Sequence, residues 1–231
     1  MRLQRSEWIV VISLLLLSFI PCVGGTIRLI EGSLGASFQF LPHKPMISAD
    51  PIPVQVHLAT AIPYCVFGIV QFLPSVRQRH PKLHRVLGRG LALAGIASVL
   101  SALWMTHFYV YPVEDQSNLL YAVRLTVGFS MLGCFYLGVT HAMKKSIGRH
   151  RAWMIRAYAL GQGAGSQSLI GILWVLMAGE INGSPRDFVM TAGWVINALA
   201  AEGIIRKMGL NAPDREPFQL GPMPSKMTEL D

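Results

Sequence analysis

Hydrophobic residues dominate six long stretches of the chain, and short segments rich in charged residues, proline or glycine separate them. The six stretches cover residues 8–28, 54–73, 86–107, 119–140, 152–178 and 188–205. A helix that spans a bilayer needs about 20 mostly apolar residues, a length that each stretch meets or approaches. The pattern therefore predicts an all-α, polytopic membrane helix bundle with six transmembrane helices.

The first hydrophobic stretch has two interpretations. Arg2 and Arg5 precede an apolar run, as in a signal peptide that is later removed. We favour an uncleaved first transmembrane helix, a signal anchor, because no small-x-small cleavage site follows the run. The chain then divides into this helix at 1–30, a proline-rich outer loop at 31–53, a core membrane helix bundle at 54–207 and a disordered cytoplasmic tail at 208–231. Prolines and glycines predict that the outer loop is irregular rather than helical.

Composition and charge placement narrow the class of protein. Hydrophobic residues make up 52% of the chain and charged residues only 14%, which excludes an ordinary soluble domain and intrinsic disorder. Most of the 20 Lys and Arg residues fall at the N-terminus, in the second and fourth loops and in the tail. Basic loops stay on the cytoplasmic side, so we expect both termini to be cytoplasmic. This clustering explains the net charge of +8 without nucleic acid as a partner.

Several common kinds of chemistry find no support in the sequence. The three cysteines, Cys22, Cys65 and Cys134, lie in separate apolar runs and form neither a disulfide framework nor a metal motif. The chain has no phosphate-binding loop of the Gly-x-x-x-x-Gly-Lys type and no His-Glu-x-x-His metal helix. The sequence therefore leaves open whether the protein is an enzyme.

One face of the second predicted helix is unusually polar. Its members recur at spacings of three and four residues, which place them on one side of a helix. They are His57, Ala61, Tyr64, Gly68 and Gln71. Two interpretations are open: a ligand-lined cavity in which His57 is a ligand or proton carrier, or hydrogen bonding that only joins neighbouring helices.

Histidines near both predicted membrane faces suggest a b-type haem. His57 lies near the outer face, while His84, His141 and His150 lie near the inner face. Haem in a helix bundle needs imidazole ligands on facing helices, and arginines can pair with its propionates. We therefore predict these four histidines as iron ligands. The cofactor-binding arginines are predicted to be Arg85, Arg89 and Arg156.

Depth alone suggests how the histidines pair. His57 with His107 would serve an outer site, and His84 with either His141 or His150 would serve an inner one. Glycine and alanine stripes on the third and fifth helices would let a flat ring approach, although ordinary helix packing is the simpler explanation.

Two other functions fit the same residues. In a small-solute or proton transporter, the histidines would relay protons and Arg124 or Arg156 would bind an anion. In a structural or assembly membrane protein, the polar groups would only hold the helices together. The lipid bilayer is the expected partner in every case. An electron carrier would add a quinol as its partner, and a transporter would add a small anionic solute.

The second and third helices resemble the fourth and fifth, either as an internal repeat or by chance. His57 and Arg124 occupy matching positions near the start of each pair, and a His-Arg dipeptide follows 26 or 27 residues later.

Two motifs carry a further resemblance: His84-Arg85-x-x-Gly88-Arg89 and Gly148-Arg149-His150-Arg151-x-Trp153-Met154-x-Arg156. Through them, the region from about 54 to 180 resembles a bacterial family of predicted multi-pass membrane proteins of unknown function. The resemblance implies the membrane architecture, in a bacterial inner membrane, and no reaction. The arrangement of histidines in two layers is more distantly similar to transmembrane di-haem cytochromes.

Overall fold

A computed structural model describes residues 4–34, 45–112 and 115–210 of the protein. In these ranges every regular element is a helix. The helices are α1 (Arg5–Leu34), α2 (Pro45–Ala49), α3 (Ile52–Gly68), α4 (Pro74–Arg79), α5 (Pro81–Phe108), α6 (Asn118–Met143), α7 (Ile147–Gly161), α8 (Gly163–Ala178) and α9 (Ser184–Lys207). A short 3₁₀ turn, Ile69–Phe72, continues α3.

Five of these segments are long and apolar enough to cross a membrane. They are Arg5–Leu34, Ile52–Phe72, Pro81–Phe108, Asn118–Met143 and Ser184–Lys207. The all-α fold class is confirmed for the described residues, together with five of the six predicted spans. The remaining predicted stretch, 152–178, is not one continuous helix but parts of α7 and α8.

The break between α7 and α8 lies at Gln162, and glycines explain its position. Gly161 and Gly163 flank Gln162, and glycine weakens a helix by about 1 kcal/mol relative to alanine. The Gln162 backbone departs from helical geometry, with φ −79° and ψ 4°. Its buried side chain bonds to Ser18 of α1 and to Tyr158 of α7, which holds the break inside the bundle.

The helices pack mainly as neighbours along the chain. α3 lies against α5, α6 against α7, and α8 against α9, while α1 contacts α3 and α8. The largest core cluster forms where α3, α5, α6 and α7 meet, around Tyr64, Phe135 and Tyr158. The last helix also buries Val189, Asn197 and other residues against α7 and α8, so it is part of the bundle.

The two ends of the bundle differ in charge. We call the end that holds the start of α5, the end of α6 and the start of α7 the basic end. It carries Arg77, Arg79, Lys82, Arg85, Lys144, Lys145, Arg149, Arg151, Arg206 and Lys207. We call the other end, where α5 ends and α6 begins, the opposite end. Acidic residues Asp115 and Asp187 lie there.

The loop between α1 and α3 differs from the prediction where it is described. Residues 31–53 were expected to be irregular, yet α1 continues to Leu34 and Pro45–Ala49 forms one helical turn. Residues 46–49 contain neither glycine nor proline, so a single turn can form between the prolines at 45 and 51. The remaining part of this loop, 35–44, and most of the predicted disordered tail, 211–231, lie outside the described residues.

Candidate functional site

Three of the four predicted iron ligands lie at the basic end. His84 is in the first turn of α5, His141 is in the last turn of α6, and His150 is in the first turn of α7. Antiparallel packing brings these helix ends together because α6 lies against both α5 and α7. The fourth, His57, lies near the start of α3, in the half of the bundle nearer the opposite end.

His150 is held in a defined orientation. Its Nδ1 atom lies 2.8 Å from the backbone carbonyl oxygen of Gly138 on α6. A carbonyl oxygen only accepts hydrogen bonds, so Nδ1 carries the proton and the lone pair is on Nε2. Metal-binding histidines commonly have this arrangement, because the second bond fixes the ring and the tautomer.

His84 and His141 differ from His150 in lacking such a bond. The Nδ1 atom of each is buried and has no hydrogen-bond partner in the described structure. His84 lies close enough to His150, Arg77 and Arg85 to interact with them electrostatically. Of the two inner partners suggested by the sequence, His150 is therefore one that interacts with His84.

His57 repeats the arrangement of His150 on the other side of the bundle. Its Nδ1 atom lies 2.9 Å from the carbonyl oxygen of Ser98, with the Ser98 and Ser101 hydroxyls at 3.3 and 3.5 Å. The Nε2 atom of this partly buried histidine therefore also carries the lone pair. The polar face of α3 turns towards α5 and α7, as its spacing predicts, and Tyr64 and Gly68 on it are buried.

His107 does not lie next to His57. It lies nine residues beyond Ser98 on α5, which is about 13 Å along the helix axis. Its Nδ1 atom bonds instead to the hydroxyl of Tyr121, at 2.9 Å. The structure thus does not bring His57 and His107 together as an outer pair. Hydropathy places both residues near the same membrane face, but the rise of α5 along its axis separates them.

The predicted arginines have different surroundings. Arg85 and Arg89 are exposed at the basic end. Arg156 forms a two-point ion pair with Glu202 of α9, through Nε at 2.5 Å and Nη2 at 3.0 Å. Its guanidinium also lies 4.5 Å from the ring centre of Trp153. These partners occupy Arg156 within the bundle and join α7 to α9.

A chain of polar side chains crosses the centre of the bundle, and the sequence analysis did not predict it. The Ser18 hydroxyl donates to the Gln162 carbonyl oxygen, and the Gln162 amide donates to the Tyr158 hydroxyl. Tyr158 in turn donates to the backbone oxygen of Cys65, at 2.6 Å. The only sequence signal was a glutamine within an apolar stretch, which predicts an interior partner without identifying it.

A second polar link joins α7, α8 and α9. The Ser166 hydroxyl donates to Asn197 at 2.6 Å, and the Asn197 amide donates to the backbone oxygen of Ala159 at 3.0 Å. Asn197 is buried, so these bonds satisfy a side chain that would otherwise be costly inside the membrane. This residue was also missed by the sequence analysis.

The small residues of the bundle centre are used for helix packing. A Cβ atom added to Gly95 would lie 2.3 Å from the Phe135 ring and 3.0 Å from the Tyr64 ring. A Cβ atom at Gly161 would lie 2.7 Å from Tyr64 on its other side. Since Tyr64 fills the space between these two glycines, a flat cofactor has no room between them.

Charged residues at the opposite end are bound by other protein groups. Arg124 donates to Gln116 and lies 5.1 Å from the ring centre of Tyr111. Burial raises the pKa of Tyr111, with Arg124 opposing the rise, so the phenol stays neutral. Asp115 and Asp187 bind Arg186 and Ser117, respectively. The transporter interpretation assigns the anion to Arg124 or Arg156, and protein groups already engage both guanidinium groups.

Comparisons with known proteins place the chain in a family. Among the described residues, no group of three or more His, Cys, Asp or Glu side chains is arranged to hold a metal ion. No curated protein and no solved structure matches the chain. A family model does match, over residues 54–205, which is more than half of the chain. The chain belongs to the family described as "Predicted membrane protein (DUF2306)", a family of unknown function.

Proposed function

We propose that this protein crosses a bacterial inner membrane six times, binds haem b at its basic end and carries electrons. The observation that carries the proposal is the histidine pair at the starts of α5 and α7. His150 presents Nε2 because Gly138 holds its Nδ1 proton, and His84 lies near it with a buried, unpartnered Nδ1. Two imidazoles on different helices are what a b-type haem needs when no cysteine attaches it covalently.

The charge around the pair supports the same ligand. Arg77 and Arg85 interact electrostatically with His84, and Arg77 also interacts with Arg151 of α7. Haem propionates are carboxylates, and arginine binds carboxylates in a two-point geometry. We propose Arg77 and Arg85 as propionate partners, whereas Arg156 acts by positioning α7 through Glu202. His141 would lie beside the haem.

His57 is proposed as a second, separate ligand position. Its tautomer suits metal binding, as that of His150 does. The described histidines other than His57 lie at the basic end or, for His107, bind Tyr121. We therefore assign the haem that is held by two histidines to the basic end. We assign no second histidine to the ligand position at His57.

The proposed sixth crossing consists of α7 and α8 together. Both helices pack against α9 and run antiparallel to it, and α9 is itself long and apolar enough to span a membrane. Contacts follow α9 in order: Glu202 with Arg156, Asn197 with Ala159 and Ser166, and Met190 with Gln167. A segment that follows α9 over this length crosses the same thickness. With the basic end cytoplasmic, both termini are on that side.

A transporter is the second candidate, and one observation favours it. A linked set of polar groups lies across the bundle centre, formed by Ser18, Gln162, Tyr158 and Cys65. Burying polar groups inside a membrane costs free energy, so such groups are candidates for a function. In that function these groups would offer sites to a proton or solute, and no chromophore would be present.

The test is a visible spectrum of detergent-purified protein expressed with a haem precursor. The wild-type chain should show a Soret band and a sharp α-band on reduction with dithionite. His84→Ala and His150→Ala should each lose at least about half of this absorbance, because an imidazole ligand is removed. His80→Ala is the matched control, since His80 is an exposed histidine at the same end and should retain the spectrum.

Size-exclusion chromatography of each variant separates lost haem from lost folding. His150→Gly with added imidazole provides a second check, because free imidazole can occupy the vacated position and restore the bands. A folded wild-type protein without any haem absorbance would overturn the proposal. Equal spectra for His80→Ala, His84→Ala and His150→Ala would overturn the assignment of ligands.

A further inference from the structure

A groove on the membrane-facing surface lies between the end of α5 and the start of α6. Its volume is about 330 Å³, which is within the range of small-molecule pockets, and it is open to the surface. Three leucines and the rings of Trp104, Phe108 and Phe129 line it. Trp104 and Phe108 form one wall, with ring centres 4.3 Å apart. The groove thus offers flat aromatic surfaces within reach of lipid-soluble molecules.

A hydrogen-bonded pair in the groove, His107 and Tyr121, supplies polar atoms. Nδ1 of His107 lies 2.9 Å from the Tyr121 hydroxyl, and both residues line the groove. If the hydroxyl donates, His107 retains an Nε2–H donor and the tyrosine oxygen can still accept. If Nδ1 donates, the tyrosine retains its O–H donor and Nε2 accepts. In either tautomer, the neutral pair offers one free donor and one free acceptor.

We infer that this groove binds the headgroup of a membrane-soluble quinone or its quinol. A quinone carbonyl accepts a hydrogen bond and a quinol hydroxyl donates one, so the pair can bind both redox forms by exchanging tautomers. The aromatic wall suits a flat ring, and the open side lets an isoprenoid tail remain in the lipid. A phospholipid headgroup fits less well, because no Lys or Arg lines the groove to bind its phosphate.

The inference deepens the proposed function and rests on it for its physiological meaning. An electron carrier with haem at the basic end needs an electron donor or acceptor, and a quinone pool supplies one within the membrane. Binding itself does not require haem. The groove lies at the opposite end from His84 and His150, so the two sites can be tested separately.

Tryptophan fluorescence provides the test, because Trp104 is part of the groove wall. Wild-type protein in phosphatidylcholine nanodiscs is titrated with a short-tailed 1,4-naphthoquinone, which quenches a nearby indole. We expect saturable quenching that is largely lost in Trp104→Phe. Tyr121→Phe should weaken binding about two- to tenfold, the loss expected for one hydrogen bond. Tyr136→Phe is the matched control, because Tyr136 is 71% exposed and farther along the same helix.

The outcomes separate this inference from the haem proposal. Linear quenching, or equal affinity in the Tyr121→Phe and Tyr136→Phe variants, would overturn the quinone site. Loss of quinone binding in phosphatidylglycerol discs, with binding kept in phosphatidylcholine, would identify an anionic lipid site instead and also overturn it. If the protein contains no haem but still binds quinone saturably and in a Tyr121-dependent way, the quinone site is supported and the haem proposal is overturned. His107→Ala should leave the haem spectrum intact.

Discussion

At the scale of single residues, hydrogen bonds to the protein determine which histidines and arginines are available to a ligand. Gly138 and Ser98 fix the Nδ1 atoms of His150 and His57, so that Nε2 is free in both. Glu202 and Trp153 occupy the guanidinium of Arg156. Sequence position cannot distinguish an available ring nitrogen from an occupied one, because the deciding partners lie on other helices.

The pairing of Arg156 with Glu202 leads to a stability prediction. Arg156→Lys keeps the charge but loses the two-point geometry, so we expect unfolding to become easier by about 1–2 kcal/mol. For a chain of this size, that corresponds to a fall in Tm of about 2–8 °C. Thermal unfolding in detergent measures it. Arg206→Lys, at an exposed arginine on α9, is the control. The structural assignment would be contradicted by equal Tm values for the two variants.

At the scale of elements, close backbone contacts position the helices. α1 crosses α8 where Gly165 faces the backbone of Leu17, and a Cβ atom added there would lie 2.3 Å from the Leu17 carbonyl oxygen. The hydrogen bond from Ser18 to Gln162 is adjacent to this contact. The first helix is therefore attached to the break between α7 and α8 by both packing and a polar bond.

Substituting this glycine should loosen the contact between α1 and α8. We expect Gly165→Ala to lower stability by about 1–3 kcal/mol, the usual cost of overpacking. Gly133→Ala is the control, since nothing lies within 4 Å of a Cβ atom there, and alanine should leave stability unchanged or raise it by up to about 1 kcal/mol. Chemical denaturation in mixed micelles compares the two. A stabilising effect at both positions would show that α1 does not approach α8 so closely.

At the scale of the whole molecule, the arrangement of charge predicts orientation. The basic end carries the loops before α5 and before α7 and the end of α9, whereas Asp115 and Asp187 lie at the opposite end. If α7 and α8 cross together, Lys145 and Asn182 are on different sides of the membrane. If they formed a re-entrant hairpin instead, both residues would be on the same side.

Cysteine labelling distinguishes these arrangements. In a chain without its three native cysteines, Asn182→Cys should react with a membrane-impermeant maleimide in intact spheroplasts. Lys145→Cys should react only after permeabilisation, because the proposed topology puts the basic end in the cytoplasm. Reaction of both residues before permeabilisation, or of neither, would contradict the six-span topology.

Much of the architecture could be predicted from the sequence, because hydrophobic length is a local property. The first four apolar stretches and the last one correspond to helices that are long enough to span a membrane. The break at Gln162 was missed, since two flanking glycines weaken a helix without showing that Ser18 and Tyr158 would hold the break. Depth placed His57 and His107 in one layer, but α5 carries His107 about 13 Å beyond the Ser98 contact of His57.

The content of haem per chain is the measurement that tests the central claim most directly. Detergent-purified wild-type protein is converted to its pyridine haemochrome, and the haem is compared with the protein concentration from amino-acid analysis. The account predicts about one haem b per folded chain, held by His84 and His150 at the basic end. Monodisperse protein that contains no haem after expression with ample haem precursor would contradict it.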